Sequence, residues 1–130
     1  MRDFSNSDKV FHDVKVTFPF TESMVFCLLT SAFEGGSNYW IGGADVEGIP
    51  AESWEYLQDV PLIEGGVLWI SVSEEDGKRY RLYWEAIVRG LITMSKKEPR
   101  HFFDAAKEDG DGITGDVFLQ CCLFDEVVYG

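Results

Sequence analysis

Glu34-Gly35-Gly36-Ser37-Asn38-Tyr39-Trp40 is the stretch in which a helical pattern stops, the backbone reverses and an aromatic strand begins. Upstream of it, Met24, Val25, Leu28, Leu29, Ala32 and Phe33 recur at three- and four-residue spacing, which predicts a helix over residues 21 to 33 with one buried face. Gly35 or Gly36 suits the left-handed position that closes such a helix, where a β-carbon is strained. Asn38 to about Asp45 then reads as a strand, with Gly42-Gly43 as a bulge or close backbone approach. Glycine pairs are mostly turn punctuation, so the plainer reading is a helix-to-strand turn with its aromatics packed on the sheet. The sharper one makes Glu34, Gly35, Gly36, Ser37, Asn38, Tyr39 and Trp40 a recognition turn, in which exposed N–H groups hold an anion beside the two aromatic rings. A phosphate loop is disfavoured, because its glycines follow a strand and open a helix, whereas these follow a helix.

Working outward, residues 1 to 12 carry little periodicity and are expected to be loosely ordered, leaving residues 13 to 130 as a single domain. Val14, Val16 and Phe18 alternate with Lys15 and Thr17, the pattern of a half-buried strand that Pro19 ends. Thr21 is placed to cap the helix that follows. Beyond the opening stretch, Ala51 to Leu57 fits a short helix. Val67 to Val72 is a strand with Leu68, Ile70 and Val72 on one face, and Glu74-Glu75-Asp76-Gly77 is a hairpin turn returning through Lys78 to Leu82. Trp84, Ile87, Val88, Leu91 and Ile92 then form an amphipathic stripe, interrupted by a Gly90 that suggests a close packing contact. Pro99 opens a further helix. Thr114 caps the last one, with Ile113 and Phe118 as a hydrophobic staple and Val117, Cys121 and Phe124 turned inward. The expected fold is α+β: a small antiparallel sheet of about four strands, with three to four helices packed mainly on one face.

Two stretches carry a resemblance. Glu34-Gly35-Gly36-Ser37-Asn38-Tyr39-Trp40, together with Gly115-Asp116-Val117-Phe118-Leu119-Gln120 and the ending Leu123-Phe124-Asp125-Glu126-Val127-Val128-Tyr129-Gly130, resembles a family of small bacteriophage and prophage proteins of uncharacterised function. The likeness implies a phage origin and a bacterial host cytoplasm, and it supplies no reaction. Where relatives have Phe-Gly, this chain has Phe124-Asp125, so a tight glycine turn is not expected there.

Charge says most about partners. The net charge is −12, and no lysine or arginine occurs from Val16 to Gly77. Every basic residue beyond Lys15 lies between Lys78 and Lys107. This segregation argues against direct nucleic-acid binding, which needs a basic surface. It suits a basic partner instead, including a protein that itself grips nucleic acid. The candidate face comprises the hairpin tip, Glu74, Glu75 and Asp76, with Asp109, Asp111 and Asp116. A hairpin tip is expected to be wet and to carry little of the core. The alternative is a merely solubilising surface.

Catalytic signatures are lacking. Asp109-Gly110-Asp111-Gly112 begins like a calcium loop, but its fifth, sixth and twelfth positions are Ile113, Thr114 and Gln120, so it fails. His12 and His101 have no zinc spacing, and Cys27, Cys121 and Cys122 make neither a disulfide framework nor a paired metal site. They read as small core residues. Neither cofactor nor metal is expected, and no apolar run is long enough to cross a bilayer.

The expected function is that of a phage-encoded acidic protein that blocks a host nucleic-acid-handling defence system, of anti-CRISPR or anti-restriction type, by contact with a basic host protein. A nucleotide-sequestering or other small-molecule binder using the Gly35 to Trp40 turn is the rival, with Arg79, Arg81 or Arg89 as its phosphate partner. A structural or assembly subunit, with a homo-oligomer as one form of it, is the third reading.

Overall fold

The helix expected ahead of the glycines forms as α1, Glu22–Ser31, in a computed structural model that describes residues 1–130. Thr21 opens it, its hydroxyl accepting the backbone N–H of Met24 at 3.1 Å. α1 does not close at a left-handed glycine. It runs on into a π turn, Ala32–Gly36, in which Gly35 is extended (φ 172°) and Gly36 has no positive φ. What Gly36 supplies is a bare backbone: a β-carbon there would lie 2.0 Å from the carbonyl oxygen of Gly112. Residues 37 to 40 are a further turn rather than the start of a strand.

The sheet has three antiparallel strands rather than about four. They are β1 (Ile41–Glu47), β2 (Val67–Val72) and β3 (Arg79–Leu82), in the order β1-β2-β3. Ala44 lies opposite Ile70 and Val46 opposite Leu68, and the register slips between Ile41 and Gly43, where the glycine pair places a bulge. Leu68, Ile70 and Val72 are buried, as their alternation requires. The strand expected at residues 14 to 18 does not form. Val14 and Val16 are 77% and 82% exposed, because an alternating pattern makes a strand only where another strand pairs with it. The helix expected over Ala51 to Leu57 is replaced by two short 3-10 turns, Ala51–Ser53 and Leu57–Leu62. Between them the Asp59 carboxylate draws the chain in by accepting the backbone N–H of Tyr56 at 2.9 Å.

Three more helices complete the fold: α2 (Trp84–Lys97), α3 (Pro99–Ala106) and α4 (Gly112–Phe124). α4 begins earlier than expected. Asp111, not Thr114, is its cap, accepting the N–H groups of Ile113 and Thr114 at 3.0 and 3.1 Å, and a carboxylate suits the positive end of the helix. The proposed staple fails, since Ile113 is exposed while Phe118 is wholly buried. From Thr114 to Cys122 every residue of α4 is buried. This is the pattern of a helix enclosed on all sides. A single core joins Leu68, Ile70 and Leu82 of the sheet to Leu28 and Leu29 of α1, Ile87 and Met94 of α2, and Phe118 and Leu119 of α4.

α2 is rotated from the expected stripe. Ala86, Ile87, Gly90, Thr93 and Met94 face inward, leaving Trp84, Val88 and Ile92 half-exposed. The pivot is Gly90, where a β-carbon would stand 2.3 Å from the Cys122 sulfur and 2.8 Å from its Cα. Cys121 and Cys122 are core residues as expected, but Cys27 lies on the exposed side of α1. After α4 the chain turns at Asp125, which takes the left-handed conformation (φ 62°) that glycine adopts most easily. The tight turn is kept, with the Asp125 carboxylate accepting the Thr93 hydroxyl and its carbonyl accepting Lys97 at 2.7 Å.

The contact at Gly90 gives a prediction whose sign is decided by packing. Alanine gains roughly 1 kcal/mol of helix propensity over glycine, but overpacking typically costs about 1–3 kcal/mol, and here the obstacle includes backbone. Gly90→Ala is expected to lower the urea unfolding free energy by about 1–2 kcal/mol. A stabilised variant would refute the contact.

Candidate functional site

Two stretches far apart in sequence meet in space at Asp116. The turn after α1 presents Ser37, Tyr39 and Trp40 to one face of α4, and Asp116 and Gln120, four residues apart, share that face. The Oδ1 atom of Asp116 accepts the Ser37 hydroxyl at 2.8 Å, the Trp40 indole N–H at 2.7 Å and the Gln120 amide at 3.1 Å. Its Oδ2 atom accepts the Tyr39 hydroxyl at 2.6 Å. Indole and amide nitrogens can only donate, so the buried carboxylate is held by neutral donors with no cation among its partners.

Gln120 carries the network on to the end of the chain. Its Oε1 atom accepts the backbone N–H groups of Val128 and Tyr129 at 2.7 and 2.8 Å, and its amide nitrogen donates to the Tyr129 carbonyl at 3.1 Å. One side chain thereby does for the tail what a neighbouring strand would do. The Tyr129 ring stacks on Trp40 at 5.6 Å with planes 13° apart. Its hydroxyl donates to Glu75 Oε2 at 2.8 Å, and Tyr80 donates to the same carboxylate at 3.1 Å.

Around this network lies an open groove of about 780 Å³. Glu34, Tyr39, Asp111, Asp116, Val127 and Tyr129 are among the residues that line it, and none of the lining residues is lysine, arginine or histidine. Gly35 and Gly36 leave its rim open. Of the turn residues singled out from the sequence, Glu34, Gly35, Gly36 and Tyr39 line the groove. Trp40 is buried beneath the groove instead of lining it, and Asn38 is exposed and not among the lining residues. The surroundings are anionic, not anion-binding. Arg79 stacks on Trp69, and Arg81 and Arg89 stack on Tyr83, so the expected phosphate partners are engaged elsewhere.

The acidic-face residues separate into distinct roles. Glu74, Asp76 and Asp109 are exposed; Asp111 is both helix cap and groove wall. Asp116, though it borders the groove, is 7% exposed and commits both carboxylate oxygens to the buried network. Glu75 is half-buried at the hairpin tip, and its bonds to Tyr129 and Tyr80 make the tip part of the framework, contrary to the expectation of a free, wet turn. The Lys78–Glu75 pair, at 3.4 Å, is the single ion pair in the protein. The basic segment from Lys78 to Lys107 thus leaves the other carboxylates unpaired.

Tyr39, Tyr129 and the buried thiols hold their protons tightly. Burial of its hydroxyl end and the bond to Asp116 push Tyr39 up to about 12, although the ring is 57% exposed. The bond to Glu75 raises Tyr129 to about 12, and the same bond lowers Glu75. Burial raises the Cys121 thiol to about 11 and Cys122 well above its ordinary value, so both remain protonated at neutral pH. No three His, Cys, Asp or Glu side chains converge in a way that would hold a metal. Sequence reasoning missed Gln120 and Tyr129 as site residues. The signal was there: polar Asp116 and Gln120 sit four apart in an otherwise apolar helix and must find partners. No family model, curated protein or solved structure matches the chain.

Two outcomes test the network. Asp116→Ala leaves the Trp40 indole, Ser37 and Tyr39 without their acceptor, and is expected to cost about 3 kcal/mol or more of unfolding free energy. A cost below about 1 kcal/mol by urea denaturation would contradict the geometry. The tyrosines give a pH window. Their folded values of about 12 lie above the unfolded value of 10.0, so the stability they contribute is complete below pH 10.0 and is lost as pH rises from there to about 12. Absorbance titration at alkaline pH should show two late-ionising tyrosines, reduced to one in Tyr39→Phe.

Proposed function

We propose that the protein is an acidic binding module that acts by contact with a basic protein, with the groove beside Tyr39 and Tyr129 as the centre of its contact face. The observation that carries this reading is the groove itself: concave, walled by aromatic rings and by Glu34 and Asp111, and free of any basic side chain. Such a surface favours a cationic group, which gains from both carboxylates and ring faces. It disfavours a nucleotide, whose phosphates would meet only negative charge. The acidic stretch without lysine or arginine from Val16 to Gly77 extends the same preference around the molecule.

The finer reading is a phage-encoded inhibitor of a host nucleic-acid-handling defence complex, of anti-CRISPR or anti-restriction type. The resemblance to small phage proteins supports it, and so does the charge: a protein that grips nucleic acid offers the basic surface that this face complements. Direct nucleic-acid binding has no support from the surface. No helix is long and apolar enough to cross a membrane.

The test uses immobilised protein and a bacterial host lysate. A basic, nucleic-acid-binding protein should be retained at low salt and released as the Debye length falls from roughly 10 Å towards 3 Å between about 0.1 and 1 M. Glu34→Lys with Ile113→Lys reverses the groove walls at two exposed positions outside the Asp116 network, and should abolish retention with the circular dichroism spectrum unchanged. Retention that survives this variant would exclude the groove. No effect on restriction or CRISPR interference would exclude the finer reading.

A further inference from the structure

We propose that residues 14–18 form the fourth strand of the sheet in trans, added to the free edge of β1 in a second copy of this chain, so that two copies exchange their N-terminal strands. Val14, Val16 and Phe18 alternate with Lys15 and Thr17 at the two-residue period of a strand with one apolar face. Within one chain this stretch pairs with nothing. No backbone hydrogen bond involves residues 10 to 20, and Val14 and Val16 are 77% and 82% exposed. Phe11 is also fully exposed, so the arm presents apolar groups and unpaired peptide groups together.

The edge of β1 is complementary in three respects. It is a terminal strand, and no backbone hydrogen bond outside its ladder with β2 reaches Gly42 to Glu47. Its unpaired peptide groups are the template that strand addition uses. Ala44 and Val46 lie opposite the buried Ile70 and Leu68 and are themselves half-buried, so the apolar face of the sheet continues to this edge without being covered there. Asp45 and Glu47 are exposed on the other face. A strand laid beside β1 with Val14 and Val16 next to Ala44 and Val46 sets Lys15 next to Asp45 and Glu47. Shifting it by one residue would reverse every side chain, so the apolar match and the charge match select the same alignment.

The tether of the arm favours another molecule as the donor. Phe18 packs on Phe20 with ring centroids 5.0 Å apart, and Phe20 packs on Phe102 of α3 at 5.5 Å. Only Pro19 separates the strand-patterned stretch from this anchor on α3, and α3 itself packs against α2 and α4. A second copy can bring its β1 to the arm. Reciprocal exchange then closes a two-fold dimer and leaves no β1 edge open for further addition. The inference is independent of the groove and of any partner bound there.

Sedimentation velocity on the full chain from low to high micromolar concentration tests it. A dimer is expected. Val16→Asp should make the protein monomeric, with its circular dichroism spectrum still that of a folded chain because the residue lies outside the core of the single copy. Lys15→Glu should weaken dimerisation about tenfold through its two symmetric contacts. Adding Asp45→Lys to Lys15→Glu should restore it. A wild-type monomer throughout, or a dimer indifferent to Val16→Asp, overturns the proposal, and failure of the charge swap to restore affinity overturns the pairing with β1.

Discussion

The structure depends on one constraint: α4 is enclosed on every side, yet it carries Asp116 and Gln120. A polar side chain taken out of water costs several kcal/mol unless its hydrogen bonds are replaced, and a carboxylate costs more. Both residues therefore dictate what surrounds them. Asp116 calls for donors, which the turn after α1 supplies through Ser37, Tyr39 and Trp40. Gln120 calls for donors and acceptors together, and the backbone of Val128 and Tyr129 supplies them. No buried side-chain polar atom in the protein lacks a partner.

The consequence is that segments far apart in sequence behave as one unit. The turn at residues 37 to 40, the centre of α4, the tail at Val128–Tyr129 and the hairpin tip at Glu75 are joined by hydrogen bonds and by the stacking of Tyr129 on Trp40. The groove is the outer surface of this unit. Its walls are positioned by buried bonds rather than by flexible loops, which suits a recognition surface because little ordering remains to be done on binding. Gly36 contributes in the same way, letting the π turn approach the start of α4 closely enough to form the groove rim.

Much of this was legible from local pattern. The alternation in Val67 to Val72, the Asp76-Gly77 hairpin and the close contact at Gly90 follow from periodicity and turn chemistry, and they stand in the structure. Two kinds of feature were not legible. Where two candidates competed locally, as Asp111 and Thr114 did for the cap of α4, the stronger acceptor at the helix start won. Where the outcome depended on a distant partner, the sequence pattern was silent. The apolar stripe of α2 was rotated by Cys122 against Gly90, and the strand pattern at residues 14 to 18 found no partner in its own chain. The site itself was half legible: the turn motif drew attention, whereas the buried role of Asp116 could be inferred only from a polar residue in an otherwise apolar helix.

The bond from the Trp40 indole to Asp116 joins the turn after α1 to α4, and amide and indole hydrogen exchange measures it directly. Of the four tryptophans, Trp40 should show an indole N–H protected to nearly the free energy of global unfolding, since its nitrogen is buried and bonded at 2.7 Å. In Asp116→Ala, which removes the acceptor oxygens, that protection should fall together with that of the Tyr129 amide, because both hang on the same network. Exchange of the Trp40 indole proton at the rate of an exposed tryptophan, or protection untouched by the substitution, would contradict the claim that Asp116 organises the fold around α4.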